Sequence, residues 1–184
     1  QAMKKLRAFV ESQPQTVAEK AKVIVEHFHN VTAHKIGGEA RAMVVTAGIE
    51  RAIDYFHAIN KLLAERNSPY QTIVAFTGDF NYHGNTVSES TLNRFPSSQI
   101  EKKIKTGNYR ILIVADKFQT GYDEPLLHTM YVDKSLNGVR TVQTLSRLNR
   151  TCPKKNDTCV IDFVNKHDEV EQDFQDFYKT TLLS

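Results

Sequence analysis

The chain has 184 residues, of which 40% are hydrophobic, and it carries a formal net charge of +3 with a sequence pI near 8.8. This size suits one domain with a buried core, and so mild a positive charge permits a nucleic-acid partner but excludes a histone-like or basic-tail protein. Two cysteines without a Cys/His cluster, and the lack of a signal peptide or a bilayer-length apolar run, indicate a reduced, cytoplasmic protein with no structural metal and no membrane span.

Residues 1–38 are predicted to form a helical lead-in that packs on the next domain or links it to a preceding one. A first helical pattern ends at Pro14, which cannot continue a helix. Thr16 and Glu19 then have the three-residue spacing of a capping box, which indicates that a second helix begins there. Because the chain begins with Gln1 rather than Met, we expect it to be a piece of a longer protein.

Residues 39–184 alternate short apolar runs with helical patterns. This order predicts one α/β domain with a central, mostly parallel sheet that is covered by helices on both faces. The five predicted strands are residues 42–45, 71–76, 110–115, 128–132 and 158–163. A long amphipathic helix is predicted at about residues 49–65, and a C-terminal helix closes the domain. Residues 80–96 are the least regular and predict only a turn and a short helix.

The most informative stretch, residues 109–150, contains two of these strands and then a predicted helix at about residues 139–150. Polar residues follow each strand, at the position where open α/β sheets bind ligands. On the helix, Gln143, Arg147 and Arg150 are spaced i, i+4 and i+7 and are therefore predicted to share one face. The core-facing positions are Val142, Leu145 and Leu148.

Two arginines on one helix face indicate an anion site, because a guanidinium stays charged and its planar fork matches phosphate oxygens. The expected ligand is a phosphate, that of ATP. A plainer explanation stays open at this point, because cations near a helix C-terminus are also stabilised by the helix dipole, by about 0.3–1 kcal/mol each.

Two short segments resemble motifs of superfamily 2 helicases and translocases. Residues 115–125, ADKFQTGYDEP, resemble motif V, with matching positions at Asp116, Gly121, Asp123 and Pro125. Residues 143–150, QTLSRLNR, resemble motif VI, whose common form is Gln-x-x-Gly-Arg-x-x-Arg, with matching positions at Gln143, Arg147 and Arg150. Other residues replace glycines at Ser146 and Asn149. The two motifs together are a stronger signal than either one alone.

A longer resemblance, over about residues 40–165, is to the motor (R) subunit of type I restriction enzymes. It is carried by LIVADKFQTGYDEPLLHTMYVDK at 112–134, QTLSRLNRT at 143–151 and IDFVN at 161–165. AMVVTAGIERA at 42–52 stands where motif IV would be, and AFTG at 75–78 stands where the following strand would end. The resemblance implies a RecA-like three-layer fold and the second motor lobe of an ATP-dependent translocase of duplex DNA.

The resemblance also implies roles for the residues of motifs V and VI at an ATP site between two lobes. Arg147 and Arg150 would be arginine fingers that stabilise charge on the transferring phosphoryl group. Gly121 would let the backbone approach the nucleotide closely, because it has no Cβ. Asp123 would either accept hydrogen bonds from the nucleotide sugar or hold an arginine in place, and Gln143 would belong to the same site.

The resemblance places a second set of residues at strand ends or helix starts, where they would contact DNA phosphates without reading bases. These residues are Thr46, Gly48, Arg51, Thr77, Gly78, Lys117 and Thr120. The chain departs from many helicases at two positions, with Ala115 where they carry Thr and Thr120 where they carry Arg. Those two contacts are therefore not carried over, and Lys117 or Thr120 would replace them.

Several motor and nuclease motifs are absent from the sequence. It contains no phosphate-binding Gly-x-x-x-x-Gly-Lys-Ser/Thr loop, no magnesium-binding acidic motif on a strand and no nuclease cluster. We therefore expect the chain alone to be inactive, with ATP and Mg²⁺ bound in the full-length protein and Mg²⁺ held by a first RecA-like lobe. The other partners that the resemblance implies are duplex DNA and the methylase and specificity subunits.

Two alternatives stay open on the sequence. One is a lobe of another superfamily 2 DNA helicase, which would share motifs V and VI. The other is a non-catalytic α/β module that binds nucleic acid or protein and has lost nucleotide chemistry. Retention of both Arg147 and Arg150 beside Gln143 favours a motor, because a module without nucleotide chemistry has no use for two guanidinium groups at these positions.

Overall fold

The computed structural model describes residues 16–115 and 123–183. In chain order the elements are α1 (Val17–Asn30), β1 (Arg41–Thr46), α2 (Ile49–Glu65), β2 (Gln71–Ala75), β3 (Phe80–Tyr82), β4 (Asn85–Val87), α3 (Glu89–Asn93), α4 (Ile100–Lys103), β5 (Tyr109–Val114), β6 (Leu127–Asp133), α5 (Val139–Leu145), β7 (Cys159–Asp162) and α6 (His167–Leu183). The five predicted strands are confirmed, each within one residue at either end, and α2 has the predicted bounds.

The main sheet has the strand order β2-β5-β1-β6-β7, and every neighbouring pair is parallel. Successive residues of a strand point to opposite faces, so Val44 packs in the core beneath α1 and α2. Its neighbour Val45 packs in the core beneath α4, α5 and α6. Helices therefore cover both faces of a parallel sheet, which confirms the predicted three-layer fold.

The helix α1 begins where the sequence predicts. The Thr16 side chain accepts a hydrogen bond from the backbone N–H of Glu19 at 3.1 Å, which satisfies one of the free donors at the helix start. Ile24 and Phe28 are fully buried in the core that α1 shares with α2. This helix is thus packed on the sheet, while the boundary predicted at residue 38 stays a prediction.

The helix predicted at about residues 139–150 is shorter than expected. α5 ends at Leu145, the chain tightens into a 3-10 turn at Ser146–Asn149, and Arg150 is already extended, with φ −65° and ψ 135°. Serine and asparagine form hydrogen bonds with nearby backbone groups that compete with a helix, and 3-10 turns are frequent at helix ends. The predicted face shared by Gln143, Arg147 and Arg150 is therefore wrong.

The apolar side of the same segment is as predicted. Val142, Leu145 and Leu148 are all buried, in the core that α5 shares with α4 and α6. The hydrophobic spacing thus identified which residues face the core, although it did not identify where the α-helix ends.

The irregular region after β2 contains an antiparallel hairpin that the sequence analysis missed. β3 and β4 pair through Phe80 with Val87 and Tyr82 with Asn85. The two residues between the strands, His83 and Gly84, have φ of 50° and 86°. Two positive φ values are typical of the tight turns that join short strands. Each strand has only three residues, which is too short for an alternating pattern to be recognised.

The short helix α3 covers the open side of β2, one of the two outer strands of the main sheet. Asn93 accepts a hydrogen bond from the Val74 N–H at 2.9 Å and donates one to the Val74 carbonyl at 2.7 Å. Glu89 accepts from the Phe76 N–H at 2.7 Å. These two side chains occupy backbone groups that an exposed edge strand would otherwise offer to another chain.

We predict that Asn93→Ala lowers the free energy of unfolding by about 1–3 kcal/mol, because the Val74 N–H and carbonyl lose their side-chain partner. Urea unfolding of the variant and the wild type measures the difference. Asn108→Ala is the matched control, since Asn108 lies in an exposed loop. Equal losses in the two variants would contradict a role for Asn93 at the strand edge.

Candidate functional site

The predicted DNA-contacting residues that the structure describes lie at one edge of the sheet. The carboxyl ends of parallel strands share an edge, and the residues there are Thr46, Gly48, Arg51, Thr77 and Gly78. Three predicted site residues, Lys117, Thr120 and Gly121, lie outside the described residues. We call this region, from the end of β2 to the end of β7, the carboxyl edge.

Thr46 stabilises the loop at the carboxyl edge rather than facing outward. Its side chain is buried, and its hydroxyl donates to the carbonyls of Val114 at 2.9 Å and Gly48 at 3.1 Å. Gly48 is the residue before α2, and no side chain caps this helix start. The loop therefore presents the first backbone N–H groups of α2, a group of donors that suits an anion.

Thr77 and Gly78 follow β2 at the same edge, and both are exposed. Gly78 has φ +81°, a conformation that residues with a Cβ rarely adopt, so a glycine suits the turn. The two residues stand at one end of the carboxyl edge, because β2 is an outer strand of the sheet.

Asp133 is a site residue that the sequence analysis did not assign. It ends β6, directly beside Thr46 in the sheet, and only 4% of its side chain is exposed. Its carboxylate accepts hydrogen bonds from the Tyr55 hydroxyl at 2.6 Å, from Lys20 Nζ at 3.1 Å and from an Arg51 Nη at 3.1 Å. One buried carboxylate thus joins α1, α2 and β6.

The electrostatics of Asp133 favour its charged form. Burial alone would raise the pKa of this carboxyl, but the hydrogen bond from Tyr55 and the nearby Lys20 and Arg51 outweigh it, so the pKa lies below the usual 3.8. Burial and the same hydrogen bond raise the pKa of Tyr55, which therefore stays a hydroxyl donor. Two cations around one carboxylate leave one excess positive charge.

Arg51 is the member of this cluster that reaches solvent. Its side chain is 44% exposed while its guanidinium is anchored to Asp133. An anchored guanidinium loses less side-chain entropy when it binds a further anion, because part of its freedom is already lost. The geometry is therefore compatible with a phosphate contact at Arg51, on the outer side of the ion pair.

Asp162 ends the neighbouring strand β7 and serves the local fold. It accepts hydrogen bonds from the backbone N–H groups of Val164 and Asn165 at 2.9 and 2.8 Å. Burial raises the pKa of its carboxyl, although these hydrogen bonds act in the opposite direction. The side chain of Asn165 also donates to the Lys134 carbonyl at 2.8 Å, so Asp162 and Asn165 together fix the loops that follow β6 and β7.

Two of the residues predicted to face ATP, Asp123 and Arg150, lie near the opposite edge. Arg150 Nε lies 3.0 Å from an Asp123 carboxylate oxygen, and the two side chains are 62% and 57% exposed. Asp123 lies in the segment just before β6, which begins at Leu127. The Lys155 ammonium group donates hydrogen bonds to the carbonyls of Arg150 and Pro125, at 2.6 and 3.0 Å. We call this region the amino edge. A seven-residue strand separates it from the carboxyl edge by about 20 Å.

The three motif VI positions differ in their exposure. Arg147 is only 8% exposed, on the 3-10 turn, whereas Gln143 and Arg150 are exposed. The structure therefore brings Asp123 and Arg150 together but does not present the two arginines side by side. The expected pair of exposed guanidiniums depended on a continuous helix, and that helix ends at Leu145.

The donors at the amino edge fit a phosphate. The ion pair of Arg150 uses Nε, and most of the side chain is exposed, so the guanidinium is open to an anion from the solvent side. A planar guanidinium in this arrangement can bind two oxygens of one phosphoryl group. Asp123 fixes the orientation of the side chain but cannot itself bind a phosphate, because both are anionic.

A group of side chains with metal-ligand chemistry lies at the start of α6. His167, Asp168 and Glu171 place ligand atoms within 4.8 Å of one another. His167 Nδ1 lies 3.8 Å from a carboxylate oxygen of each acidic residue. Exposed acidic groups of this kind are common without an ion, and we assign no metal to it. Across the described ranges, no helix is both long and apolar enough to cross a bilayer.

We predict that Asp133→Asn lowers the free energy of unfolding at pH 7 by about 3 kcal/mol, because it leaves Lys20 buried without its charged partner. The folded pKa lies below 3.8, so the carboxylate stabilises the fold above that pH and loses this effect as the pH falls through the folded pKa. Urea unfolding at several pH values measures the difference between variant and wild type.

That difference should shrink as the pH falls below 3.8. The control is Asp79→Asn, because Asp79 lies in an exposed loop. A difference between Asp133→Asn and the wild type that does not vary with pH would contradict a charged Asp133 in the fold.

Comparison with known proteins identifies relatives of the chain. Residues 79–165 match the family model "Type I restriction enzyme subunit R domain 3". The chain is 36% identical over 106 residues to a putative type I restriction enzyme MjaVIIP endonuclease subunit of Methanocaldococcus jannaschii, which covers 58% of this chain and 8% of that protein. It is 28% identical over 158 residues to the MjaIXP endonuclease subunit of the same organism, covering 83% and 14%. The chain thus spans a small part of these relatives.

The fold has solved counterparts among helicases. The C-terminal domain of the DEAD-box protein Dbp5 aligns with a TM-score of 0.54 and 12% identity, covering 94% of this chain and 84% of that chain. Such low identity shows the fold alone, which is the RecA-like fold of a helicase C-terminal lobe. Residues 79–165 are thus similar to domain 3 of the type I restriction enzyme R subunit, and the chain has the RecA-like fold that helicase C-terminal domains show.

Proposed function

We propose that the chain is the second motor lobe of an ATP-dependent DNA translocase in a type I restriction enzyme. The observation that carries this proposal is the 3.0 Å ion pair between Asp123 and Arg150. It joins the segment that resembles motif V to the segment that resembles motif VI, although the two residues are 27 positions apart in the chain. Such a pairing is expected where both segments border one nucleotide.

On the amino edge, Arg150 contacts the phosphates of an ATP bound between this lobe and a first lobe elsewhere in the longer protein. Its guanidinium stabilises charge that develops on the transferring phosphoryl group, an effect worth about 10³–10⁵ in rate for arginine fingers. Asp123 holds the guanidinium in one orientation. Gln143 borders the same site, and the first lobe supplies the phosphate loop and Mg²⁺, so this chain alone does not hydrolyse ATP.

Arg147 has a different role in this proposal. Because its side chain is 8% exposed, we assign it to stabilising the 3-10 turn that carries Arg150, rather than to direct contact with the nucleotide. We keep Gly121 as the residue whose backbone approaches the nucleotide most closely. This assignment is based only on the resemblance to motif V. In this proposal Arg147 stabilises the 3-10 turn, and Arg150, which follows the turn, is the arginine finger.

On the carboxyl edge, the lobe binds the phosphate backbone of duplex DNA. Arg51 is anchored to Asp133 and is half exposed, and the backbone N–H groups at the start of α2 lie next to it in the chain. Thr77 and Gly78 extend the same edge outward, and Lys117 and Thr120 complete the proposed set. Contacts of this kind fix the position of the protein on the duplex without selecting a base sequence.

Separate edges for nucleotide and DNA suit a motor. The two proposed sites are about 20 Å apart across the sheet, so neither ligand obstructs the other. β5 ends at the carboxyl edge with Val114, and Asp123 lies near the amino edge, so the two proposed sites are only a few residues apart in the chain. The methylase and specificity subunits of the complete enzyme are the further partners in this proposal.

We predict that Arg150→Ala in the full-length enzyme reduces DNA-stimulated ATP hydrolysis by about a hundredfold or more, because the finger supplies charge stabilisation in the transition state. The free energy of unfolding should change by less than about 0.5 kcal/mol, since the residue is exposed. Steady-state ATPase assays and urea unfolding measure the two quantities.

Arg147→Ala is the matched comparison, because it removes the other arginine of the same turn. It should lower the free energy of unfolding by about 1–3 kcal/mol, since a buried side chain is truncated. If Arg150→Ala leaves ATP hydrolysis near normal, the guanidinium is structural and the motor proposal fails at this site. The chain would then fit the non-catalytic interaction module better.

We predict that Arg51→Ala in the full-length enzyme weakens DNA binding to a similar extent for all sequences and lowers the salt slope of log Kd by about one, because one phosphate contact is lost. Fluorescence anisotropy at several salt concentrations measures the slope. Arg66→Ala is the control, since Arg66 is exposed at the other end of α2. Equal slopes in the two variants would exclude Arg51 from the interface.

A further inference from the structure

A cavity of about 260 Å³ lies at the amino edge, and the described residues that line it do not include Asp123 or Arg150. The residues that line it are Lys35, Ile36, His128, Lys154, Asn156 and Asp157. They come from the turn before β1, the start of β6 and the loop before β7. The volume is several times the roughly 30 Å³ that one water molecule occupies in the liquid, so the cavity can hold a small polyatomic ligand.

Lys154 has a backbone conformation that is unusual for a residue with a side chain. Its φ is +71°, and the Lys155 N–H donates to the Cys152 carbonyl across the turn, with Pro153 at the second position. This arrangement resembles a type II turn, in which the third position favours glycine. A lysine is thus held at a position that glycine would occupy with less strain, and such strained residues often occur at ligand sites.

The side chain of Lys154 lies along the Gly37 backbone. A Cβ added at Gly37 would stand 2.9 Å from Lys154 Cδ and 3.3 Å from its Nζ, and Gly37 itself has φ +61°. The glycine therefore leaves room for the lysine stem at this point. Two unusual backbone conformations, at Lys154 and Gly37, together hold one ammonium group at the cavity.

The acidic group in the cavity is already satisfied. Asp157 accepts hydrogen bonds from His128 Nε2 at 2.7 Å and from Lys35 Nζ at 3.0 Å, one on each oxygen. Burial would raise the pKa of Asp157, but these two partners hold it below its usual value. Burial lowers the pKa of His128, although its hydrogen bond to Asp157 acts in the opposite direction, and this favours the neutral imidazole.

One carboxylate thus faces two ammonium groups, from Lys35 and Lys154, which leaves an excess positive charge in the cavity. A divalent cation does not suit this site, because both oxygens of Asp157, the carboxylate among the described lining residues, are occupied and the lysines repel the cation. An oxyanion suits it, because lysine ammonium groups and the Asn156 amide offer donors. A phosphate group has the right charge and number of acceptor oxygens.

We propose that this cavity binds a phosphate group, carried by a nucleotide or by nucleic acid, with Lys154 and Lys35 as its cationic ligands. The site is separate from the proposed ATP contact at Arg150, and the proposal does not depend on that contact. The two sites are connected through Lys155, which follows Lys154 in the chain. Its ammonium group donates a hydrogen bond to the Arg150 carbonyl at 2.6 Å.

The decisive variant is Lys154→Gly, because it should make the fold more stable and phosphate binding weaker. Glycine relieves the positive φ, so the melting temperature should rise by about 2–4 °C. Loss of the ammonium should weaken the binding of inorganic phosphate about three- to tenfold. Calorimetric titration of the chain with inorganic phosphate, at constant ionic strength set with chloride, measures the affinity.

Arg94→Gly is the matched control. Arg94 is an exposed residue with φ +64° at the end of α3, so this change also removes one positive charge and one strained conformation. It should raise the melting temperature in the same way and leave phosphate affinity unchanged. Equal phosphate affinities in the two variants, or no saturable phosphate binding by the wild type, would overturn the proposal.

Competition distinguishes the two sources of phosphate. Displacement of bound inorganic phosphate by ATP in the wild type, with loss of that displacement in Lys154→Gly, identifies a nucleotide. Displacement by a short duplex DNA with the same dependence on Lys154 identifies nucleic acid. Displacement by neither ligand would overturn the assignment of the cavity to a phosphate carried by either source.

Discussion

The Asp133 carboxylate holds the carboxyl edge of this lobe together. A buried carboxylate costs several kcal/mol unless its oxygens are satisfied, and here a hydroxyl and two cations satisfy them. The partners come from α1 and α2, so both helices are fixed against the end of β6 by one group. The proposed DNA contact at Arg51 depends on this cluster, because Asp133 limits the positions that the guanidinium can reach.

The parallel sheet separates the two kinds of chemistry proposed for the lobe. In a parallel sheet each connection runs from the carboxyl edge back to the amino edge before the next strand begins. Residues close in sequence can therefore lie at opposite edges. Asp123 and Asp133 are ten positions apart, yet β6 places one beside Arg150 and the other beside Arg51. An acidic residue thus lies shortly before β6 and another at its end, and each forms an ion pair with an arginine.

Sequence patterns predicted the elements that repeat regularly and missed the contacts between distant residues. Buried runs such as Val44–Val45 and the apolar spacing of α2 are local signals, which is why their positions are confirmed. The end of α5 depends on competition between side chains and backbone at Ser146 and Asn149, which apolar spacing does not show. The ion pair of Lys20 with Asp133 joins residues 113 positions apart, and no local pattern indicates it.

The cover that α3 provides for β2 limits how this lobe can associate with other proteins. Partners that bind by adding a strand need free backbone donors and acceptors along a sheet edge, and Asn93 and Glu89 already occupy those of Val74 and Phe76. Recognition on this side must therefore use side chains and loops. The same cover protects this edge against strand exchange between copies of the chain.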